Sequence, residues 1–259
     1  MSDLTILGWL WQSKTFLGKY TPEHVNIWAR MIDRNLTIPH RFVLLTDYCR
    51  DRSRPVPTFD PLIEVRPLWD DWRELKNKRW PDTKPQCYVR LKAFSDEARE
   101  LIGERFVSVD LDCVVTGNLD PLFDRDDDFL IFRRYPQCDR DRANTYVGAM
   151  WMMDAGARRQ VWDDFQGQRS IDELNGKVRL IGSDQAWIRY KLGPNEKGWS
   201  LADGVWTWPQ VKESDRYRNA PPEGCRIIFF NGEEKPEHCL APIRARETLK
   251  YPWVREFYK

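Results

Sequence analysis

Short apolar runs alternate along this chain with stretches whose apolar residues recur every three or four positions, and that alternation limits it to an α/β plan. Leu4–Trp11 reads as a first strand. Thr21-Pro22-Glu23 then offers a cap residue, a proline in the first turn and an acid beside it, so a helix is expected from there to about Asn35. Val25, Ile27, Trp28, Met31 and Ile32 would form its apolar stripe. His40–Thr46 and Leu62–Pro67 read as buried strands, and Phe106–Val109 as another. Between the last two, Cys87–Ile102 reads as a helix, with Leu91, Phe94, Ala98 and Leu101 at helical steps. Pro221-Pro222-Glu223-Gly224 marks a turn before a final strand, Arg226–Phe230. The expectation is one domain over residues 1–259, with a central, mostly parallel sheet flanked by helices.

In open sheets of this kind ligands bind beyond the carboxyl ends of the strands. Asp110 and Asp112 fall at such an end, in Val107-Ser-Val-Asp110-Leu-Asp112-Cys-Val-Val. Side chains alternate along extended backbone, so two acids one residue apart project to the same side. Such a pair can hold Mg²⁺ or Mn²⁺ together with phosphate oxygens, or it can simply form a turn or cap.

After the pair comes Val114-Val-Thr-Gly-Asn118-Leu119-Asp-Pro-Leu-Phe123. Here the chain resembles the GT-A glycosyltransferases, in particular the retaining group that contains glycogenin and the bacterial lipooligosaccharide galactosyltransferases. It resembles still more closely a set of uncharacterised bacterial and phage proteins with the same layout. The resemblance implies a GT-A (Rossmann-like) domain, with 1–112 as a nucleotide-binding half and 113–259 as an acceptor-side half. Three further segments match in the same order. Tyr88-Val-Arg90-Leu-Lys92 resembles a helix start whose basic residue faces the nucleotide-sugar, a role that falls on Arg90. Gly182-Ser183-Asp184-Gln185 resembles the motif whose acid contacts donor-sugar hydroxyls and whose Gln lies near the anomeric carbon, which implies catalytic roles for Asp184 and Gln185. Phe229-Phe-Asn231-Gly232-Glu-Glu-Lys235-Pro236 resembles the segment whose glycine lets backbone approach the diphosphate and whose lysine supplies a point charge. Without the resemblance, Arg90 reads as a solvated helix residue, Ser183-Asp184 as a helix cap, and the last segment as an ordinary turn.

The resemblance implies metal-dependent sugar transfer with retention, from a nucleoside diphosphate sugar, expected to be a UDP-sugar, to an acceptor hydroxyl. The implied donor-binding set is Arg90, Asp110, Gly232 and Lys235, and the implied cofactor is Mn²⁺ or Mg²⁺. The family's third metal ligand is a histidine, and this chain has Phe229 or Asn231 there. Asn231 can offer a carbonyl oxygen, which gives Asp110, Asp112 and Asn231 as the expected metal ligands. The sugar-contact motif also departs, with Tyr146 of Asn144-Thr-Tyr146-Val-Gly148 standing where the family tends to have Asn.

Two acceptors follow from the rest of the sequence. One is a saccharide. The other is a hydroxylated or hydroxymethylated pyrimidine in DNA, suggested by basic residues (Arg50, Arg52, Arg54, Lys76, Lys78, Arg79, Arg133, Arg134, Arg140, Arg142) interleaved with Trp69, Trp72, Trp80 and Tyr135. Acids interrupt these stretches, so ordinary solvated surface is the simpler reading. A catalytically silent nucleotide-sugar binder is a third reading, raised by the missing histidine. A sugar nucleotidyltransferase would want a Gly-rich phosphate loop after the first strand, and Gly8-Trp-Leu-Trp11 offers none. A metal-dependent nuclease would need further converging acids. The net charge of +1 names no partner, and three histidines nearly exclude a His-rich zinc site. Six scattered cysteines without a CxxC pair, no secretory leader and no apolar run long enough for a membrane span give a cytoplasmic expectation, or the host cytoplasm for a phage-encoded chain.

Overall fold

The computed structural model describes residues 4–12, 20–49, 57–77, 86–134, 146–175, 183–232, 234–240 and 250–259. Nine strands are described: β1 (Leu4–Leu10), β2 (His40–Thr46), β3 (Ile63–Pro67), β4 (Arg105–Val109), β5 (Cys113–Val115), β6 (Phe129–Arg133), β7 (Tyr146–Asp154), β8 (Val205–Thr207) and β9 (Ile227–Phe229). Six of them form one sheet in the order β3-β2-β1-β4-β7-β6. The first four run parallel, whereas β7 is antiparallel to both of its neighbours. The central sheet and its flanking helices match the expected α/β class, and the sheet draws strands from both sides of residue 112. Among the described residues no helix is long and apolar enough to cross a membrane.

Both faces of the sheet are covered, and the strand sequences show why. Every residue of β1 is buried, with Leu4, Ile6 and Leu10 in one core and Leu7 and Trp9 in the other. Strands buried on both sides read as continuous apolar runs rather than alternating ones. The helix Pro22–Asp33 packs on the first face through Val25, Trp28, Ala29, Met31 and Ile32. Gly8 makes room for it, since a Cβ there would lie 3.0 Å from the Trp28 ring.

Two features depart from the sequence reading. Cys87–Ile102 is not one α-helix: Cys87–Phe94 is 3-10, Ser95 is extended, and its hydroxyl caps the short turn that leads into Arg99–Ile102. Tyr88, Val89, Arg90, Leu91, Ala93 and Phe94 are all buried here, and apolar residues at three-residue steps fit a 3-10 course as well as an α-helix. The second is a small sheet, β5-β9-β8, with β5 antiparallel and β8 parallel to β9. Its strands are three residues each, too short for a period to show in the sequence. For the same reason the final strand is shorter than Arg226–Phe230.

These two sheets meet at Asp110-Leu111-Asp112. The Asp110 N–H donates to the Ala149 carbonyl at 2.8 Å, which extends the β4–β7 pairing by one residue. The Phe230 N–H donates to the Asp112 carbonyl at 2.7 Å, which extends β5–β9 in the same way. Leu111 between them is buried in the first core. The tripeptide is thus pinned from both sides, with its apolar residue as anchor.

Candidate active site

Three residues singled out in the sequence, Arg90, Asp184 and Lys235, converge on the two aspartates of this junction. Arg90, only 5 % exposed, reaches from the 3-10 segment to two carboxylates. Its Nε and Nη2 donate to Asp184 Oδ2 at 2.7 and 2.6 Å, and its Nη1 donates to Asp110 Oδ1 at 2.6 Å. Asp184 is fully buried at the start of the helix Asp184–Leu192. On the other flank Lys235 Nζ lies 2.9 Å from Asp112 Oδ2. Lys235 is also buried, and it follows Gly232, whose φ of 123° is open to glycine but strained for other residues.

Burial pushes the Asp110 carboxyl up to about 7, helped by Asp112 and Asp184 and opposed by Arg90. For Arg90, burial alone would favour the neutral form, but Asp184 and Asp110 hold the guanidinium firmly charged. Among the described residues three carboxylates face two cations, which leaves one negative charge in excess when Asp110 is ionised.

Gln185 is placed by β7. The Gly148 N–H donates to Gln185 Oε1 at 2.9 Å, and only the amide oxygen can accept that bond. Gly148 also answers a space requirement: a Cβ on it would stand 2.9 Å from Arg90 Nη2 and 3.6 Å from Asp184 Oδ1. Tyr146, two residues earlier on the same strand, is buried and acts elsewhere. Its hydroxyl donates to the Gly193 carbonyl at 2.7 Å and accepts the Glu196 N–H at 3.0 Å, so it fastens the 193–196 turn.

Asn231 does not join the acidic pair. It is exposed and lines a separate open cleft of about 380 Å³ with Trp208, Pro209, Lys212 and Glu234. The β5–β9 pairing ends at Cys113 opposite Phe229, with one further bond from Phe230, and Asn231 lies beyond it. Among the described residues no three His, Cys, Asp or Glu side chains are grouped as metal ligands. The donor set that is present is the two carboxylates, each with one oxygen on a cation and the other outside those ion pairs. This set fits a hard divalent ion that completes its shell from phosphate oxygens and water, with fewer protein ligands than the sequence suggested.

Tyr20 belongs to the site but carries no sequence signal, since its partners lie about ninety or more residues away. Lys235 Nζ stands 5.2 Å from the centre of its ring. Burial, then the nearby Asp112 and Asp110, push its phenol well above the usual tyrosine range. Behind it, Glu237 ties His24 Nε2 at 2.8 Å and accepts the Tyr258 hydroxyl, which joins the C-terminal segment to the helix Pro22–Asp33.

The aromatic residues proposed as stacking platforms for bases are placed differently. Trp69 is buried, edge-on to Trp9 at 5.6 Å, and its indole N–H donates to the Val89 carbonyl. Trp72 is half-buried against Trp162 and Phe165. Trp80, Tyr135, Lys78, Arg79 and the arginines at 50, 52, 54, 140 and 142 lie outside the described residues, as do Gly182 and Asn144.

No protein-family profile matches the sequence, and a comparison with curated proteins finds none that matches. Solved structures do match. The galactosyltransferase LgtC, in complex with donor and acceptor sugar analogues, aligns with a TM-score of 0.61 and 14 % identity over 97 % of this chain and 94 % of LgtC. An active-site mutant of LgtC gives 0.60 and 13 % over the same shares. The apo glycosyltransferase GlyE of Streptococcus pneumoniae TIGR4 gives 0.52 and 11 % over 98 % of this chain and 62 % of GlyE. The fold is therefore that of GT-A glycosyltransferases.

Proposed function

We propose that this chain is a glycosyltransferase that moves a sugar from a nucleoside diphosphate, UDP in our reading, to a saccharide hydroxyl with retention at the anomeric carbon. The observation that carries the proposal is the convergence of Arg90, Asp110, Asp112, Asp184 and Lys235 at the junction of the two sheets, in a fold shared with glycosyltransferases. A cluster with an excess negative charge would repel a diphosphate by itself. Asp110 and Asp112 would hold Mn²⁺ or Mg²⁺, and a bound ion of this kind supplies positive charge to the departing diphosphate.

The chain's own residues carry the remaining work. Lys235, positioned by Asp112, offers a cation to the leaving diphosphate, and the Gly232 backbone permits close approach. Arg90 and Asp184 form the wall on the donor-sugar side, and Gln185 is held beside it by Gly148. The acceptor oxygen replaces the diphosphate oxygen at the anomeric carbon, and the acceptor's proton leaves with the diphosphate. A saccharide acceptor is favoured over a DNA base because Trp69 and Trp72 are turned into the molecule. UDP release from a panel of UDP-sugars with Mn²⁺ tests the proposal. Turnover should fall at least a hundredfold in Asp112→Ala with folding intact, an effect on the order of about 3 kcal/mol in the barrier. Wild-type turnover unchanged by EDTA would remove the metal from the account, and no turnover of any donor would leave a silent binder.

A further inference from the structure

Two helix starts in this molecule are closed by histidines, and one of them carries the lysine of the site. At the helix Pro22–Asp33 the Thr21 N–H donates to His24 Nδ1 at 3.0 Å. At the helix Pro236–Leu240 the Lys235 N–H donates to His238 Nδ1 at 3.1 Å, and the His238 N–H returns a bond to the Lys235 carbonyl at 3.0 Å. A backbone N–H can only donate, so each Nδ1 is an acceptor and carries no proton. Both rings stand at the third position of their helix, where a glutamate or glutamine usually reaches back to the residue before the first turn. The two starts are also joined, because Glu237 binds His24 Nε2 at 2.8 Å.

His238 thereby closes both backbone groups of the residue that brings a cation to Asp112. Three residues before Lys235 stands Gly232, whose backbone is free to take many conformations, so the direction of Lys235 is set from its other side. The Lys235 side chain is buried, with Nζ 2.9 Å from Asp112 Oδ2, on a stem of several rotatable bonds. Where that ammonium lands therefore depends on where its backbone is anchored.

We propose that His238 is a positioning residue for the reaction: its Nδ1 fixes the backbone of Lys235, and so the place at which the Lys235 ammonium meets the leaving diphosphate. This rests on the nucleotide-sugar reading above. It gives the exposed His238 a role through Lys235, without a contact of its own to substrate.

The test is calorimetric binding of UDP, inorganic pyrophosphate and uridine, with Mn²⁺, to the full chain and to His238→Ala, His238→Gln, Lys235→Ala and the double variant His238→Ala with Lys235→Ala. In His238→Ala, UDP and pyrophosphate should each bind about fivefold more weakly, the scale of one lost cap, with uridine unaffected. His238→Gln should recover most of that loss, because glutamine at this position offers a carbonyl oxygen to the same N–H. In the Lys235→Ala background, His238→Ala should have no further effect, since the ammonium it acts through is already gone. Where thermal unfolding shows that His238→Ala does not fold, His238→Leu, which keeps bulk and removes the acceptor, takes its place. Wild-type affinities in His238→Ala, or an undiminished loss in the Lys235→Ala background, would overturn the assignment while leaving the nucleotide-sugar reading intact. An equal loss for uridine, or no recovery in His238→Gln, would overturn it too, by showing a general disturbance. A wild-type chain that binds neither UDP nor pyrophosphate would overturn both.

Discussion

Two charged clusters in this molecule invite comparison. At the sheet junction, Arg90 and Lys235 face Asp110, Asp112 and Asp184 in a mostly buried setting with one excess negative charge. Near the far end of β6, Arg125, Arg158 and Lys197 face Asp127, Asp128 and Glu196 around a wider open cleft of about 820 Å³. There Arg158 bridges Asp128 at 2.9 Å and Glu196 at 3.0 Å, and Lys197 holds Asp127 at 2.7 Å. The larger cleft carries the smaller functional claim. Five carboxylates line it against three cations, but they stand around an open cleft where solvent screens them and ion pairs contribute little. At the junction the charges are mostly buried and Asp184 Oδ1 has no hydrogen-bond partner, and these are what a ligand could satisfy. Burial of incompletely paired groups, more than cleft size, distinguishes a site from a surface.

The most severe break of this contrast is Asp184→Ala, which leaves Arg90 buried with half its compensation. Stability should fall by about 3–5 kcal/mol in urea unfolding, the range for an uncompensated buried charge. Next is Gly148→Ala, which sets a methyl 2.9 Å from Arg90 Nη2. We expect a loss of about 1–3 kcal/mol from overpacking, together with weaker donor binding as Arg90 shifts. A smaller effect sharpens the support behind Lys235. Burial alone would raise the Glu237 carboxyl, but His24 and Tyr258 more than offset it and hold it at about 2, below the usual 4.5. A carboxyl held low in the folded state stabilises above its unfolded pKa and loses that contribution as pH falls through its folded one. Glu237→Gln should therefore flatten the decline of stability between about pH 4.5 and pH 2, read from urea midpoints across that window. Smallest of all, Lys197→Ala in the exposed cluster should change stability by about 0–1 kcal/mol and leave UDP-sugar turnover untouched.

Sequence reasoning reached different depths in these regions. The parallel strands were legible because strands buried on both faces leave long apolar runs, as in β1 and β2. Asp110, Asp112, Arg90, Asp184 and Lys235 were legible as separate motifs, and the fold brings them to one place. What stayed hidden depends on pairing across the chain. The three-residue strands of the small sheet exist only through one another, and Asn231 lies just past their end, exposed. The 3-10 course of Cys87–Phe94 stayed hidden because three-residue apolar steps fit a 3-10 and an α course alike. Tyr20 reaches Lys235 across more than two hundred residues and has no local pattern to betray it.

The central claim is that the unmatched charge at the sheet junction binds a nucleotide-sugar together with a divalent ion. Thermal unfolding of the wild type and Asp112→Asn, with UDP-sugars and Mn²⁺ added singly and together, tests it most directly. The account requires a rise in the wild-type midpoint that is largest when donor and Mn²⁺ are both present and is lost in Asp112→Asn. A midpoint that stays flat for every donor with Mn²⁺, or one that rises equally in the variant, would contradict it.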